Sequence, residues 1–370
     1  MLLLGYTYVG YPLLLLLLQP VSGDRTEPHD GGHFPSVTMV VAVHNEASII
    51  AEKVQNCRGI QYPGEFTCLF VSDSTDGTDS VLESETDGQI SLLTLPERRG
   101  KSYALNRAME QVDSDVVIFS DANTMYEPSA VSELVAPLAD DRIGCVTGKL
   151  ELRTLDGTSG EGLYWQYELS LRRLEQSLGT TVSVNGGVLA IRADEFEPLP
   201  EGVLVDDLVI ALRQLRRGRN VQYQESAIAT ERTPSGIDDE FTRRVRIGAG
   251  NYQVLWRLAG TLFPSRALPA IQFLSHKVLR WLGPWMLTSI LLSSLLLALL
   301  EPSVPTFAIV GTQVIGYAFA LIGMKSRVAR SLPVFRIPAY FVSMNVALAL
   351  GCFHSLRGTD NRLWTVTPRE

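Results

Sequence analysis

Apolar residues fall along this chain in two patterns. Four uncharged blocks, Leu2–Leu18, Leu282–Leu300, Thr306–Gly323 and Ile337–Phe353, reach at most 19 residues each. A helix needs about 20 such residues to cross a bilayer core. Between the first two lies a long stretch of globular composition. There, short apolar runs alternate with amphipathic segments. The β-branched run Val37–Val43 predicts a strand buried on both faces. Phe66–Val71, Ile90–Leu95 and Asp115–Phe119 predict further strands, and Ala47–Cys57 and Ser102–Val112 predict helices between them. Strand–helix alternation of this kind predicts an α/β fold around a mostly parallel sheet with right-handed crossovers. The expected organisation is an N-terminal membrane helix (1–20), an α/β domain (36–258), an amphipathic helix lying in the membrane interface (263–281) and a C-terminal region with three apolar segments (282–356).

Charge and cysteine content narrow the class. The net charge of −8 argues against a nucleic-acid partner, which calls for a basic field. Cys57, Cys68, Cys145 and Cys352 have no zinc-finger spacing and read as buried or free thiols. Leu2–Leu18 lacks a basic stretch before its apolar run, which favours an anchor over a cleaved signal. The loop Met324–Arg336 carries Lys325, Arg327, Arg330 and Arg336, whereas Glu301–Pro305 carries no basic residue. By the positive-inside rule the first loop faces the cytoplasm, and the α/β domain with it, in a multi-pass protein of the cell membrane. Within 263–281, Phe273, Leu274, Val278 and Leu279 form the expected apolar face and His276, Lys277 and Arg280 the polar one.

Ligands of parallel α/β sheets bind beyond the carboxyl ends of the strands. His44, Asn45 and Glu46 follow the first predicted strand, Asp73 the second, and Asp121, Ala122 and Asn123 the fourth. Oxygen ligands at Asp121 and Asn123, two positions apart, suit Mg2+ or Mn2+ on a diphosphate, although a loop cap explains the same pair. Asp206 and Asp207 precede a helix running to about Arg217. They read either as complements of the helix dipole or as a general base beside a substrate. Arg243, Arg244 and Arg246 form a cationic cluster fit for a pyrophosphate or for anionic lipid.

In their order these motifs resemble the membrane-bound inverting family 2 glycosyltransferases of GT-A fold, the superfamily of cellulose, hyaluronan and poly-N-acetylglucosamine synthases. The similarity runs from about Val37 to Arg257. It includes His44-Asn45-Glu46, Asp73, Gly100-Lys101-Ser102, Asp121-Ala122-Asn123, Asn185-Gly186-Gly187 and Asp206-Asp207. The resemblance implies transfer from a nucleotide-diphospho-sugar, a UDP-sugar by preference, to a glycan or lipid-linked acceptor at the bilayer. It implies donor binding by His44, Glu46, Asp73, Lys101, Asp121 and Arg246, and Mg2+ or Mn2+ at Asp121 with Asn123. It further implies an acceptor side built from Asn185, Gly186 and Asp206, with Asp207 as base. Two departures stand out: Asn123 replaces a carboxylate, and Arg243 and Ile247 replace the Gln and Trp of the Gln-x-x-Arg-Trp motif. Single addition and polymerisation both stay open. So do two other readings, a sugar nucleotidyltransferase and a non-catalytic membrane scaffold.

Overall fold

The computed structural model describes residues 1–19, 34–153, 161–232 and 237–358. One eight-stranded sheet runs in the order β3-β2-β1-β4-β7-β6-β8-β5. Its first half is parallel: β1 (Val37–Val43) lies between β2 (Phe66–Ser72) and β4 (Val116–Asp121), and β3 (Ile90–Thr94) flanks β2. The second half changes direction. β7 (Leu189–Arg192) runs antiparallel to β4 and to β6 (Ile143–Arg153). β6 pairs in parallel with β8 (Asn220–Arg232), and β5 (Thr124–Tyr126) closes the far edge antiparallel to β8. The sheet is therefore mixed but, as expected, mostly parallel: four of its seven pairings run parallel, β6 with β8 among them. Helices still separate these strands, Glu161–Gln176 before β7 and Asp206–Arg216 before β8, so strand–helix alternation by itself does not announce the reversal at β7.

All seven residues of β1 are buried, as a central strand covered on both faces requires. One face packs Leu105 and Ala108 of the Lys101–Met109 helix with Val209 and Leu212 of the Asp206–Arg216 helix. The other packs Ile50 and Val54 of the Ile50–Arg58 helix with Leu82 and Leu134. This three-layer sandwich leaves the carboxyl ends of β1, β2 and β4 together at one edge. The four cysteines are buried and unpaired.

Three helices, Gly283–Leu300, Val304–Lys325 and Pro333–Arg357, are long and apolar enough to cross a membrane, and they mark a membrane protein. Leu2–Leu18 falls short of that length. Its Tyr11 is buried and donates its hydroxyl to Glu175 Oε1 at 2.6 Å. The Pro333–Arg357 helix lies against the Ile237–Gln253 helix through facing glycines. A Cβ on Gly351 would stand 2.6 Å from the Ala249 amide nitrogen, so only hydrogen fits there. From Ala267 to Trp281 the chain is helical, with six residues, Phe273–Val278, in π-type turns. His276 and Arg280, expected on the polar face of an interfacial helix, are buried. They meet carboxylates from the Glu161–Gln176 helix, partners far away in sequence.

Candidate active site

At the end of β1 the backbone turns through Asn45, the one non-glycine residue with positive φ (54°) among those described. Asparagine tolerates this left-handed geometry better than most side chains. Its amide N–H donates to Ser74 Oγ at 2.9 Å, and its Oδ1 accepts the Thr75 N–H at 2.8 Å. The turn thus locks the ends of β1 and β2 together. His44 Nδ1 donates to Asp73 Oδ1 at 2.7 Å, with both residues buried. Asp73 Oδ2 is buried with no hydrogen-bond partner, a costly state that an incoming N–H would relieve. The Glu46 amide donates to Thr78 Oγ1 at 3.0 Å, which fixes that residue beside the same turn.

Lys101 opens its helix after Gly100, whose φ of 93° only glycine adopts without strain. The Lys101 ammonium donates to Asp121 Oδ1 at 2.8 Å and lies 3.2 Å from Asp206 Oδ2, an electrostatic contact short of an aligned hydrogen bond. One cation therefore ties the end of β4 to the acidic pair. Burial alone would lower the lysine pKa, but Asp121 and Asp206 outweigh it and raise it. For Asp121, desolvation favours the neutral acid, yet Lys101, with Arg243 and Arg246, holds the carboxyl below its usual range. Burial, then the charge of Arg243, lowers the pKa of Arg246, and its guanidinium remains charged at any working pH.

Asp207 behaves in the opposite way. Burial, then the adjacent Asp206 charge, pushes its pKa up to about 6, against the pull of Lys101. Both residues lie in the first turn of their helix, where they complement its dipole, and Asp207 Oδ1 accepts the next amide, of Leu208, at 2.8 Å. A carboxylate tuned toward neutrality is suited to take a proton. Gly186 and Gly187 let the loop approach both carboxylates. A Cβ at 186 would stand 3.3 Å from Asp207 Cβ, and one at 187 would stand 2.6 Å from Thr124 Oγ1 and 3.4 Å from Asp121 Oδ2. Asn185 is held by Arg172, whose Nη2 donates to Asn185 Oδ1 at 3.0 Å, while its own Nδ2 has no partner.

The surroundings of Asp121 suit a divalent ion shared with a diphosphate. Its side chain is 38% exposed, one oxygen is spent on Lys101, and the missing Cβ of Gly187 leaves room beside the other. Among the described residues no group of three or more His, Cys, Asp or Glu could hold a metal alone, so phosphate and water would supply the other ligands. Asn123 Nδ2 donates to buried Glu231 Oε1 at 2.8 Å, which ties this amide to β8. Glu231 escaped sequence reasoning, as did Lys53. The Lys53 ammonium is fully buried beneath the motif and donates to Ser120 Oγ at 2.9 Å and to the Thr124 carbonyl. A lysine in an amphipathic helix reads as solvated, and only the packing shows otherwise.

Residues 38–197 match the family described as Glycosyl transferase family 2. These residues form a glycosyltransferase family 2 domain. The poly-beta-1,6-N-acetyl-D-glucosamine synthase of Staphylococcus aureus is 23% identical over 229 residues, 60% of this chain and 56% of that one. The Staphylococcus epidermidis synthase is 20% identical over the same shares. The chain thus matches about half the length of these curated relatives. A mannosyltransferase from Pyrobaculum calidifontis, solved with GDP-Man and Mn2+, superposes with a TM-score of 0.74 at 23% identity. That likeness covers 97% of this chain and 98% of the other, and shows a shared GT-A fold.

The transferase domain has a cavity of about 190 Å³ lined by Asp207, Lys277 and Arg280, with Met344 and Leu348 of the Pro333–Arg357 helix. A larger hollow of about 300 Å³ lies between Arg213, Arg217 and Leu262 and contains none of the candidate site residues.

Proposed function

We propose that this chain is a membrane-bound inverting glycosyltransferase that moves a sugar from a nucleotide-diphospho-sugar to an acceptor hydroxyl. The observation carrying this reading is the Lys101 ammonium, which ties Asp121 to Asp206 beside Asp207, with the Asp121 and Asp207 carboxyls pushed to opposite protonation behaviour. Asp73 Oδ2 offers one buried acceptor, which matches the single imide N–H of uracil and favours a UDP-sugar. Lys101 and Arg246 face the position of the diphosphate, whose charge rises as it leaves. A divalent ion at Asp121 would add Lewis-acid stabilisation of that leaving group. Asp207 takes the proton of the attacking hydroxyl, and the oxygen displaces the diphosphate in line, which inverts the anomeric centre without a covalent enzyme intermediate. His44 and Glu46 border the nucleoside, while Asn185, Gly186 and Asp206 shape the acceptor side.

The positive loop at Lys325–Arg336 supports a cytoplasmic domain, where nucleotide sugars are made. Purified protein incubated with a panel of nucleotide sugars should release free nucleoside diphosphate from one of them. Membranes containing the protein should then yield a glycosylated product by mass spectrometry. No release from any donor, with or without membrane lipid, sinks the reading.

A further inference from the structure

Asn123 and Glu231 meet where the far edge of the sheet closes. β5 begins at Thr124, which lies directly opposite Glu231 in the antiparallel pairing with β8. That register brings the residue before β5 against the same glutamate, and Asn123 Nδ2 donates to Glu231 Oε1 at 2.8 Å. Both residues are enclosed, at 5% and 7% exposure. Arg243 Nη2 stands 3.8 Å from the same oxygen, and the Glu231 charge acts on Arg246 as well. Lys53 holds the loop at both ends, through Ser120 Oγ and the Thr124 carbonyl. The segment carrying Asp121 and Asn123 is thus fixed from below and from the side. An ionised carboxylate only accepts, so it meets the NH2 end of the Asn123 amide and not its oxygen. The planar amide then carries Oδ1 away from Glu231.

We propose that Glu231 is a positioning residue of the donor site: by taking the Asn123 N–H it fixes Asn123 Oδ1 as the neutral oxygen that joins Asp121 on the divalent ion. The proposal rests on the reading of Asp121 as the residue that holds this ion. An amide has one ligating end and one donor end, so a metal gains from it only when its orientation is set. A carboxylate has an oxygen at either end and needs no such partner. Asn123 and Glu231 together therefore do what a lone aspartate does by itself. Glu231 is not a ligand of its own in this arrangement. Its Oε1 serves Asn123 and faces Arg243, and among the described residues no set of three acids, imidazoles or thiols converges on one point. Its influence on the ion passes through Asn123. An aspartate at 123 would set two carboxylates at hydrogen-bond distance, so its partner has to become an amide at the same time.

The test titrates Mn2+ into the full chain in detergent with UDP present and reads the bound ion by electron paramagnetic resonance, without turnover. Glu231→Gln lifts the constraint, because a glutamine meets either end of the Asn123 amide, and Mn2+ affinity should fall about tenfold, the usual worth of a group that orients a ligand. Asn123→Ala removes the ligand and should cause a comparable loss. The two combined should bind no more weakly than Asn123→Ala alone, the behaviour of residues acting as one unit. Asn123→Asp with Glu231→Gln exchanges donor and acceptor in the buried pair and should restore Mn2+ affinity to at least the parental level. This exchange keeps the hydrogen bond and the charge, so it decides the question even where a single variant fails to fold. Parental affinity in Glu231→Gln, with or without a lower melting temperature, overturns the proposal. Additive losses in the Ala–Gln combination overturn it too, since Glu231 would then act on the ion directly, and so does an exchanged pair as weak as Glu231→Gln. Asp121→Ala separates the idea from its premise. If that variant loses Mn2+ and Glu231→Gln does not, only the present proposal falls. If parent and Asp121→Ala bind Mn2+ alike, the metal reading of Asp121 falls and takes the proposal with it.

Discussion

The proposed donor side takes His44, Asp73 and Asp121 from the ends of three adjacent parallel strands, whereas the proposed acceptor side gathers Asn185, Gly186, Asp206 and Asp207 from a loop and a helix start packed near a buried cluster of charges. The first arrangement is fixed by the ladder itself, because β1 pairs in register with both β2 and β4. The second depends on a buried ionic network. Glu168 accepts from Ser183 Oγ at 2.6 Å and from Arg280, and Glu175 accepts from Tyr11 and from Thr181 Oγ1 at 2.7 Å. His276 sits between the two carboxylates. Backbone pairing tolerates loss of a side chain. A buried network of charges does not, since each orphaned partner keeps its desolvation cost. Catalysis and stability should therefore separate across the cleft.

The largest expected effect is on chemistry. Asp207→Asn keeps size and polarity but removes the base, and turnover should fall by about 10²–10⁴ with UDP affinity retained. Near-normal transfer would return Asp207 to a structural role. Because the folded state raises this acid to about 6, its ionised form costs stability above that pH. The same variant should then melt slightly higher at pH 8 than the parent, and calorimetry on the one preparation reads both signs.

Next comes the network. Burial would raise the Glu168 pKa, but Lys277 and His276 hold it well below the usual range. Glu168→Gln strips a buried countercharge and should cost on the order of 3–5 kcal/mol in detergent unfolding. For a depressed acid the contribution is present above the unfolded value, about 4.3, and is lost as pH falls through the folded one. Parent and variant should thus converge in stability under strong acid. A constant gap down to low pH would show that packing, not charge, carries the effect.

A smaller loss is expected at the junction of the two sides. Gly187→Ala drives a Cβ to 2.6 Å from Thr124 Oγ1 and should cost about 1–3 kcal/mol. Thr124→Ala in the same chain should recover part of it. The mildest change is a pH profile: transfer should drop about tenfold per pH unit below about 6, the limb set by Asp207. A limb that persists unchanged in Asp207→Asn belongs to another group.

Much of the donor side was legible because it is local. Apolar runs end where polar residues begin, and those ends carried His44, Asp73 and Asp121 to one edge as the parallel pattern required. The Asp206–Asp207 pair was equally visible, but whether it caps a helix or faces a cleft was not. Its answer lay in Lys101 and Gly186, about 105 and 20 residues earlier in the chain. Lys53 read as an ordinary polar face of a helix, yet its ammonium is enclosed under β4 and β5.

By itself the sequence determined the strand–helix frame, the apolar spans and the order of the motifs, because periodicity and strand-end chemistry are properties of neighbouring residues. Tertiary structure alone decided the reversal at β7, the inward turn of His276 and Arg280, and the opposed pKa directions of Asp121 and Asp207. Each of these depends on which distant group shares a low-dielectric space, and the energy of a charge is set by that company rather than by its place in the chain.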